Sequence, residues 1–300
     1  MLSFMAKIIA RVFGGLGNQL FIYATARAMA ERTGAELVLD TRTGFQGDAY
    51  ERQFALHHFN ANYREATALE RFDFPTGRGW RYVFRRGNEI LPFKNRFYLT
   101  DLLANEWFFM PEMLAYCPSS VVWLEGYWQS PRYFEDARTI LDKELRIKSP
   151  LSVQTLRLAE HLQKPNSICI HLRMLRNVIK GVEALKVSET NMKYYQRSMD
   201  YIAERLENPQ FFCFSDNPEI SNSLLQTPYN LTFVKHNKSD EHAYEDFYLM
   251  TLCRHFILSN STFGWWAAWM GQANKSMVMS PPLHRWDNRD ILPQGWKTTD

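Results

Sequence analysis

The sequence predicts an α/β protein made of two doubly wound domains that face a cleft. Three observations carry this expectation. The chain opens with strand, helix and strand inside its first 40 residues. A second α/β series begins after Ser149-Pro150. Finally, 300 residues with 46% apolar and 22% charged content suit an ordinary globular chain of about two domains. The domains are expected at 1–150 and 151–300.

Taken in order, Lys7 to Phe13 reads as a strand, and Gly14-Gly15-Leu16-Gly17 as a tight turn. A helix follows over about Asn18 to Glu31, with Leu20, Ala24 and Ala28 at helical spacing. Thr33-Gly34 stops it, because glycine accepts the left-handed backbone at a helix end. Glu36 to Leu39 is a second strand ending at Asp40, which completes a βαβ unit and implies a parallel sheet. Residues 45 to about 120 are irregular, with several short helices expected. Val121 to Gly126 is a strand and Pro131 to Leu145 a helix.

In the second half, Ser152 to Leu162, Met192 to Glu207, Tyr244 to Arg254 and Ser261 to Gly271 read as helices. Ser167 to Leu172, Gln210 to Phe214, Leu231 to Val234, His255 to Ser259 and Ser276 to Ser280 read as strands. Asp216-Asn-Pro-Glu219 is a helix start with Asp216 at the cap.

Composition excludes several classes. Thirty-five Lys and Arg against 32 Asp and Glu leave a net charge of +3, too little to argue for nucleic acid. The four cysteines, at 117, 169, 213 and 253, form no C-x-x-C pair and are expected to be reduced, as in the cytoplasm. No apolar run is long enough to span a bilayer, and Met1 to Ala10 is too soon interrupted by Lys7 for a signal peptide. Arg78–Arg81 and Arg85–Arg86, beside Trp80, Tyr82 and Phe84, read either as a solvated helix face or as a peripheral contact with an anionic membrane.

Four constellations carry chemistry. In Gly14 to Gln19, glycines let a backbone approach a ligand, while Asn18 and Gln19 place two amides at a helix start. The spacing is not that of a dinucleotide or P-loop fingerprint. His171 and Arg173 lie two apart at a strand end, so they point the same way. Arg offers a rigid fork of donors for phosphate. Ser215 and Asp216 end the next strand. Asp246 precedes a hydroxyl-rich turn, Asn260-Ser261-Thr262-Phe263-Gly264, whose Ser and Thr either cap the following helix or hold phosphate. Trp265, Trp266 and Trp269 beyond it are core packing or a ligand platform. Asp40 and Glu125, each at a strand end, are candidate general bases.

Five segments in fixed order resemble the bacterial α-1,2-fucosyltransferases of glycosyltransferase family 11. They are GGLGNQLFIYA at 14–24, GYWQSPRYF at 126–134, HLR at 171–173, FSD at 214–216 and SNSTFGWWAAW at 259–269. The resemblance implies a GT-B-like fold, with an acceptor-side domain followed by a GDP-fucose-binding domain. It implies inverting, metal-independent transfer of L-fucose from GDP-fucose to the 2-hydroxyl of a terminal β-galactoside, lactose-like or lipid-linked. Catalysis then falls to Arg173, Asn18 and Asp40. Donor contacts fall to Gly15, Gly17, Asn18, His171, Arg173, Ser215, Asp216, Asp246, Ser261, Thr262 and Phe263. Within that set the resemblance gives His171 guanine or ribose, Arg173 the diphosphate, and Asp246 guanine. Gln19, Tyr127 and Trp128 are expected at the acceptor. No cofactor, metal or nucleic acid is implied, and the expected location is cytoplasmic, at or near the inner membrane face.

One departure stands out. The family usually reads H-x-R-R-G-D where this chain has His171-Leu-Arg173-Met174-Leu175-Arg176-Asn177. The second Arg is Met174 and the Asp is missing; Arg176 is the nearest replacement charge. The competing readings are a glycosyltransferase for another GDP sugar or linkage, a noncatalytic nucleotide-sugar or glycan-binding module, and an NAD-dependent oxidoreductase.

Overall fold

The computed structural model describes residues 5–102, 108–173, 176–179, 182–185, 189–235, 240–286 and 288–299. The chain divides into two compact units, Met1–Ser149 with Asp287–Leu292, and Pro150–Trp286 with Pro293–Asp300. Residues 288–292, placed in the second domain from sequence, thus fall with the first unit. There the Phe109 N–H donates to Asp290 Oδ2 at 2.9 Å.

The first unit runs β1 (Lys7–Arg11), α1 (Leu16–Thr33), β2 (Glu36–Asp40), β3 (Arg64–Glu65), α2 (Gly77–Gly87), β4 (Tyr98–Thr100), β5 (Val121–Glu125) and α3 (Arg138–Glu144). All pairings are parallel, in the order β3-β2-β1-β5-β4. Ile8-Ile9-Ala10 and Leu37-Val38-Leu39 are buried on consecutive positions, as strands covered on both faces require. Along α1, Leu20, Phe21, Ile22 and Tyr23 are all buried, the first three contributing ~1.5–3 kcal/mol each. Gly34, at φ +65°, ends the helix by donating its N–H to the Ala30 carbonyl.

The second unit runs α4 (Val153–Leu162), β6 (Ser167–Leu172), the hairpin β7 (Arg176–Ile179) and β8 (Val182–Leu185), α5 (Glu189–Ala203), β9 (Gln210–Ser215), α6 (Pro218–Leu224) and β10 (Asn230–Phe233). It continues with α7 (Ala243–Leu252), β11 (His255–Ile257), α8 (Thr262–Gly271), β12 (Val278–Ser280) and β13 (Lys297–Thr298). Its main sheet is parallel, ordered β10-β9-β6-β11-β12-β13. Ile168, Ile170 and Leu172 pack with Tyr194, Met199, Ile202 and Phe211 as its core.

Each sheet winds outward from its first strand and then reverses. The reversal falls between β1 and β5 in the first unit and between β6 and β11 in the second. In open parallel sheets, ligands bind beyond the carboxyl ends of the strands at that point.

Some expectations need correction. Between 45 and 120, α2 is the α-helix among the described residues, and the other short helices are single 3₁₀ turns. The helix expected from Pro131 to Leu145 becomes 3₁₀ turns at Pro131–Tyr133 and Glu135–Ala137, then α3. Phe134, at φ −143° and wholly buried, breaks the run because anchoring its ring in the core overrides the helical backbone. Asp216 does not occupy the cap position, since α6 starts at Pro218. Instead Ser215 Oγ accepts the Asn217 N–H at 3.1 Å. Trp265, Trp266 and Trp269 are core residues, not an open platform.

Candidate active site

The carboxyl edge of the second sheet gathers most of the expected donor residues. β6 and β11 are adjacent and in register through His255↔Ile168, Phe256↔Cys169 and Ile257↔Ile170. His171 and Arg173 therefore emerge beside Ser259 and Ser261. His171 Nδ1 shares a 3.0 Å hydrogen bond with Ser259 Oγ, and its carbonyl accepts from the Tyr195 hydroxyl at 2.9 Å. Burial, and next the Arg173 charge, push the imidazole down to about 3. The ring is neutral at working pH, so the cationic charge here is that of Arg173.

Arg173 is exposed, and its Nη1 donates to Ser261 Oγ at 3.3 Å. Ser261 stands at the cap position of α8 but makes no side-chain cap hydrogen bond. Of the two roles open for this hydroxyl, capping is ruled out, and it faces the guanidinium instead. The ten-residue helix α8 adds the partial positive charge of its N-terminus.

Phe263 links the elements. Its ring lies 5.7 Å from His171 and 5.7 Å from Phe247 on α7. Asp246, half-buried in the first turn of α7, is thereby carried to the same neighbourhood, as is half-buried Thr262. Sequence reasoning missed Gly264. A Cβ there would stand 2.5 Å from His171 Nδ1, so only glycine lets α8 start against the imidazole. A glycine inside a tryptophan-rich helix was the available signal. Ser259 was missed too, although it precedes Ser261 by two.

Ser215 pairs with Leu172 at the neighbouring strand end, and Asp216 after it is exposed. The Ser215 hydroxyl is engaged locally, 2.6 Å from Ser221 Oγ, so it serves its own turn. Met174 lies outside the described residues, and so does the side chain of Arg176.

The carboxyl edge of the first sheet differs. Gly14 has φ +75°, which glycine adopts without strain, and Gly15 and Gly17 carry the turn into α1. Asn18 Oδ1 accepts from Gln129 Nε2 at 3.1 Å, joining the loops after β1 and β5. Tyr127 is half-buried, with its ring 4.8 Å from Phe13.

Three expectations fail here. Gln19 is buried; its Nε2 donates to the Gly14 and Gln53 carbonyls (2.9 and 2.8 Å) and its Oε1 accepts the Ala55 N–H (2.8 Å). It positions the 53–55 loop and has no amide left for an acceptor. Trp128 is 0% exposed and packs edge-on against Tyr133, so it offers no face to a sugar. Asp40 is buried, accepting the N–H groups of Arg42 (3.1 Å) and Thr43 (2.9 Å) and the Thr43 hydroxyl, with Arg81 Nη2 at 3.5 Å. It locks a turn and is not placed as a base. The alternative, Glu125, is likewise held by Arg11 Nη1 and the Tyr98 hydroxyl, both at 2.7 Å, with Arg85 Nη1 at 3.6 Å.

A buried carboxylate that the sequence reading overlooked, Asp101, holds the loop after β5. Its oxygens accept the Tyr127 and Trp128 N–H groups at 3.0 and 2.7 Å, and burial pushes it up to about 6. Gly126 is required beside it, because a Cβ would stand 2.2 Å from Asp101 Oδ1.

The model of the Glycosyl transferase family 11 family matches residues 7–292. The chain belongs to glycosyl transferase family 11. Over 97% of its length it is 27% identical to an alpha-1,2-colitosyltransferase of Escherichia coli, 98% of which is covered. It is 25% identical to a galactoside alpha-(1,2)-fucosyltransferase 1 of Alouatta belzebul, over 57% of this chain and 48% of that protein. Among solved structures it is similar to the fucosyltransferase NodZ from Bradyrhizobium, at 18% identity and TM-score 0.54 over 88% of this chain and 92% of that one. It also resembles Arabidopsis thaliana FUT1, at 13% identity and TM-score 0.52 over 94% and 72%. These likenesses establish a GT-B-like α/β fold for this family 11 glycosyltransferase.

Proposed function

We propose that this glycosyltransferase moves L-fucose from GDP-fucose to the 2-hydroxyl of a terminal β-galactoside, with inversion and without a metal. The observation that carries the reading is the meeting of Arg173, Ser261 and the α8 N-terminus at the reversal point of the second sheet. Solved relatives of similar fold are NodZ α-1,6-fucosyltransferases with GDP or GDP-fucose. Relatives in sequence carry α-1,2 names.

In this reading the second unit binds the donor and the first receives the acceptor. Breaking the sugar C1–O bond leaves negative charge on the diphosphate. Arg173 and the α8 amides stabilise it electrostatically. Neutral His171 contributes a hydrogen bond without charge, and Asp246 reads the guanine. Asn18 orients the transferred sugar. The acceptor oxygen forms the new bond to C1 from the opposite face as the old bond breaks. Asp40 and Glu125 are both engaged within the first unit, so the acceptor proton passes to the departing phosphate. Synthesis of a surface glycan, on a lipid-linked acceptor at the cytoplasmic face of the membrane, fits this chemistry. Among the described residues no helix is long and apolar enough to cross a membrane.

A second reading has its own support. The match to a colitosyltransferase spans nearly all of both chains. Colitose is fucose without its 3-hydroxyl, so the two donors differ by one polar group. A GDP-release assay with either GDP sugar, with and without lactose, decides. Lactose-dependent release from GDP-fucose, with an α-1,2 linkage by NMR, is the expected result. Release only from GDP-colitose would establish the second reading, and donor binding without release to any galactoside would make the chain a binding module.

A further inference from the structure

The helix α2 turns two arginines as well as a phenylalanine toward the fold. Arg81 points inward, where Nη2 donates to Thr43 Oγ1 at 2.9 Å and to the Arg71 carbonyl. Arg85 also turns inward, toward Glu125. Phe84, on the same inward side, packs against Phe72, Phe97 and Trp123 at 5.6, 5.5 and 6.1 Å. These anchors fix the helix's rotation and leave its other large side chains outside. Trp80 is 51% exposed, Tyr82 56% and Val83 54%; Ile90, in the 3₁₀ turn that continues the helix, is 86% exposed. Val83 and Ile90 are seven residues apart and share a face. An apolar group that could have been buried is instead held in water, which costs free energy unless something covers it.

The charge around this face is one-sided. With Arg81 and Arg85 turned inward onto Asp40 and Glu125, the exposed charges of residues 77–96 are three cations and a single acid, Glu89, a net of +2. Arg78, Arg86 and Lys94 are exposed, and Glu89 lies 3.6 Å from Arg86. A second copy of the same surface would be repelled. Arginine beside tryptophan, tyrosine and branched aliphatics is the composition that an anionic bilayer interface takes: rings at headgroup depth, aliphatic chains below, cations on the lipid phosphates.

We propose that α2 and the turn after it, through Trp80, Val83, Ile90, Arg78 and Arg86, form a docking surface for an anionic lipid bilayer. The proposal does not depend on the donor or acceptor sugar. It gives a family 11 enzyme a means of working on glycans that are themselves carried by lipid.

Co-sedimentation of the full chain with phosphatidylcholine vesicles, with and without phosphatidylglycerol, tests it. The chain is expected in the pellet only with phosphatidylglycerol, and less so as salt rises. Replacing Arg78 and Arg86 together by Gln should weaken binding about fivefold per charge. Val83→Ser with Ile90→Ser should weaken it severalfold at constant charge. GDP release with soluble lactose should be unchanged in both variants, which shows that they fold and separates this proposal from the reading of the reaction. No binding to phosphatidylglycerol vesicles overturns the proposal. So does a loss confined to the arginine variant together with equal binding to heparin, which would mark a site for a soluble polyanion.

Discussion

The two sheets end in the same way topologically and in opposite ways chemically. At the edge of the second, Arg173 is exposed, its contact with Ser261 is a long 3.3 Å, and a helix start adjoins it without a side-chain cap. At the edge of the first, Arg11, Arg81 and Arg85 are matched against Asp40, Glu125, Tyr98 and Thr43. One edge keeps its cation accessible to an arriving anion, while the other neutralises its charges among themselves. A strand-end charge is therefore no evidence of a ligand until its partners are known.

The sharpest way to break this contrast is Arg173→Ala. Transfer should fall by about 10²–10³-fold, the usual effect of removing one donor from a developing anion. Arg173→Lys should recover only part of it, because an ammonium lacks the planar fork. Wild-type rates in the Ala variant would mean that the second edge is as self-contained as the first.

The next largest effect is expected at Gly264→Ala. The new methyl meets His171 Nδ1, so either α8 or the imidazole must move. Overpacking of this kind costs ~1–3 kcal/mol, which should lower the melting temperature and weaken GDP binding by calorimetry. Unchanged GDP affinity would remove His171 from the donor contacts.

In the first unit, Glu125→Gln should lower the melting temperature, with GDP affinity held within a factor of about two. Breaking a buried ion pair costs ~3–5 kcal/mol, and partial exposure of both arginines reduces this to ~1–3 kcal/mol. If the folded variant instead loses transfer while binding GDP normally, Glu125 is chemical and the contrast between the edges fails.

The smallest effect is one of pH, and its sign differs between the units. His171 titrates near 3 when folded and near its ordinary 6.5 when unfolded, so its stabilising contribution is full above about 6.5 and is lost as pH falls toward 3. Asp101, raised to about 6 when folded, does the reverse: stability declines as pH rises from about 4 to 6. Melting curves between these limits should fall less steeply on acidification in His171→Gln and more steeply in Asp101→Asn. Parallel curves for both would contradict the burial that sets these values.

The legibility of the two edges in the sequence follows the same division. His171 and Arg173 were readable because strand periodicity places them together and the Ser261 turn is local to its helix. The parallel sheet followed from alternating strands and helices, whereas its strand order, β10-β9-β6-β11-β12-β13, is seen only in the folded chain. Asp40 was misread because only the folded turn aims the neighbouring Arg42 and Thr43 N–H groups at it, with Arg81 arriving from 41 residues on. Glu125 was misread because its partners come from far along the chain, Arg11 from 114 residues before it and Tyr98 from 27. Gln19 was misread for the same reason, since the 53–55 loop that it holds is 34 to 36 residues away. Trp128 could not be separated from a sugar platform by type alone. Its left-handed backbone, φ +53°, and the Asp101 carboxylate that fixes it exist only in the folded chain.

The indoles behind the α8 start have a use of their own. Trp265 and Trp266 lie 5.1 Å apart, Trp266 and Trp269 5.0 Å, and Trp296 closes on Trp265 at 5.5 Å. Trp265 and Trp269 are stacked within 12°. Chromophores this close couple their electronic transitions, and the coupling varies steeply with angle and separation. The helix that begins at the anion-facing turn thus carries a native circular-dichroism reporter within its first two turns. The packing of that helix start should therefore be readable by circular dichroism without a label.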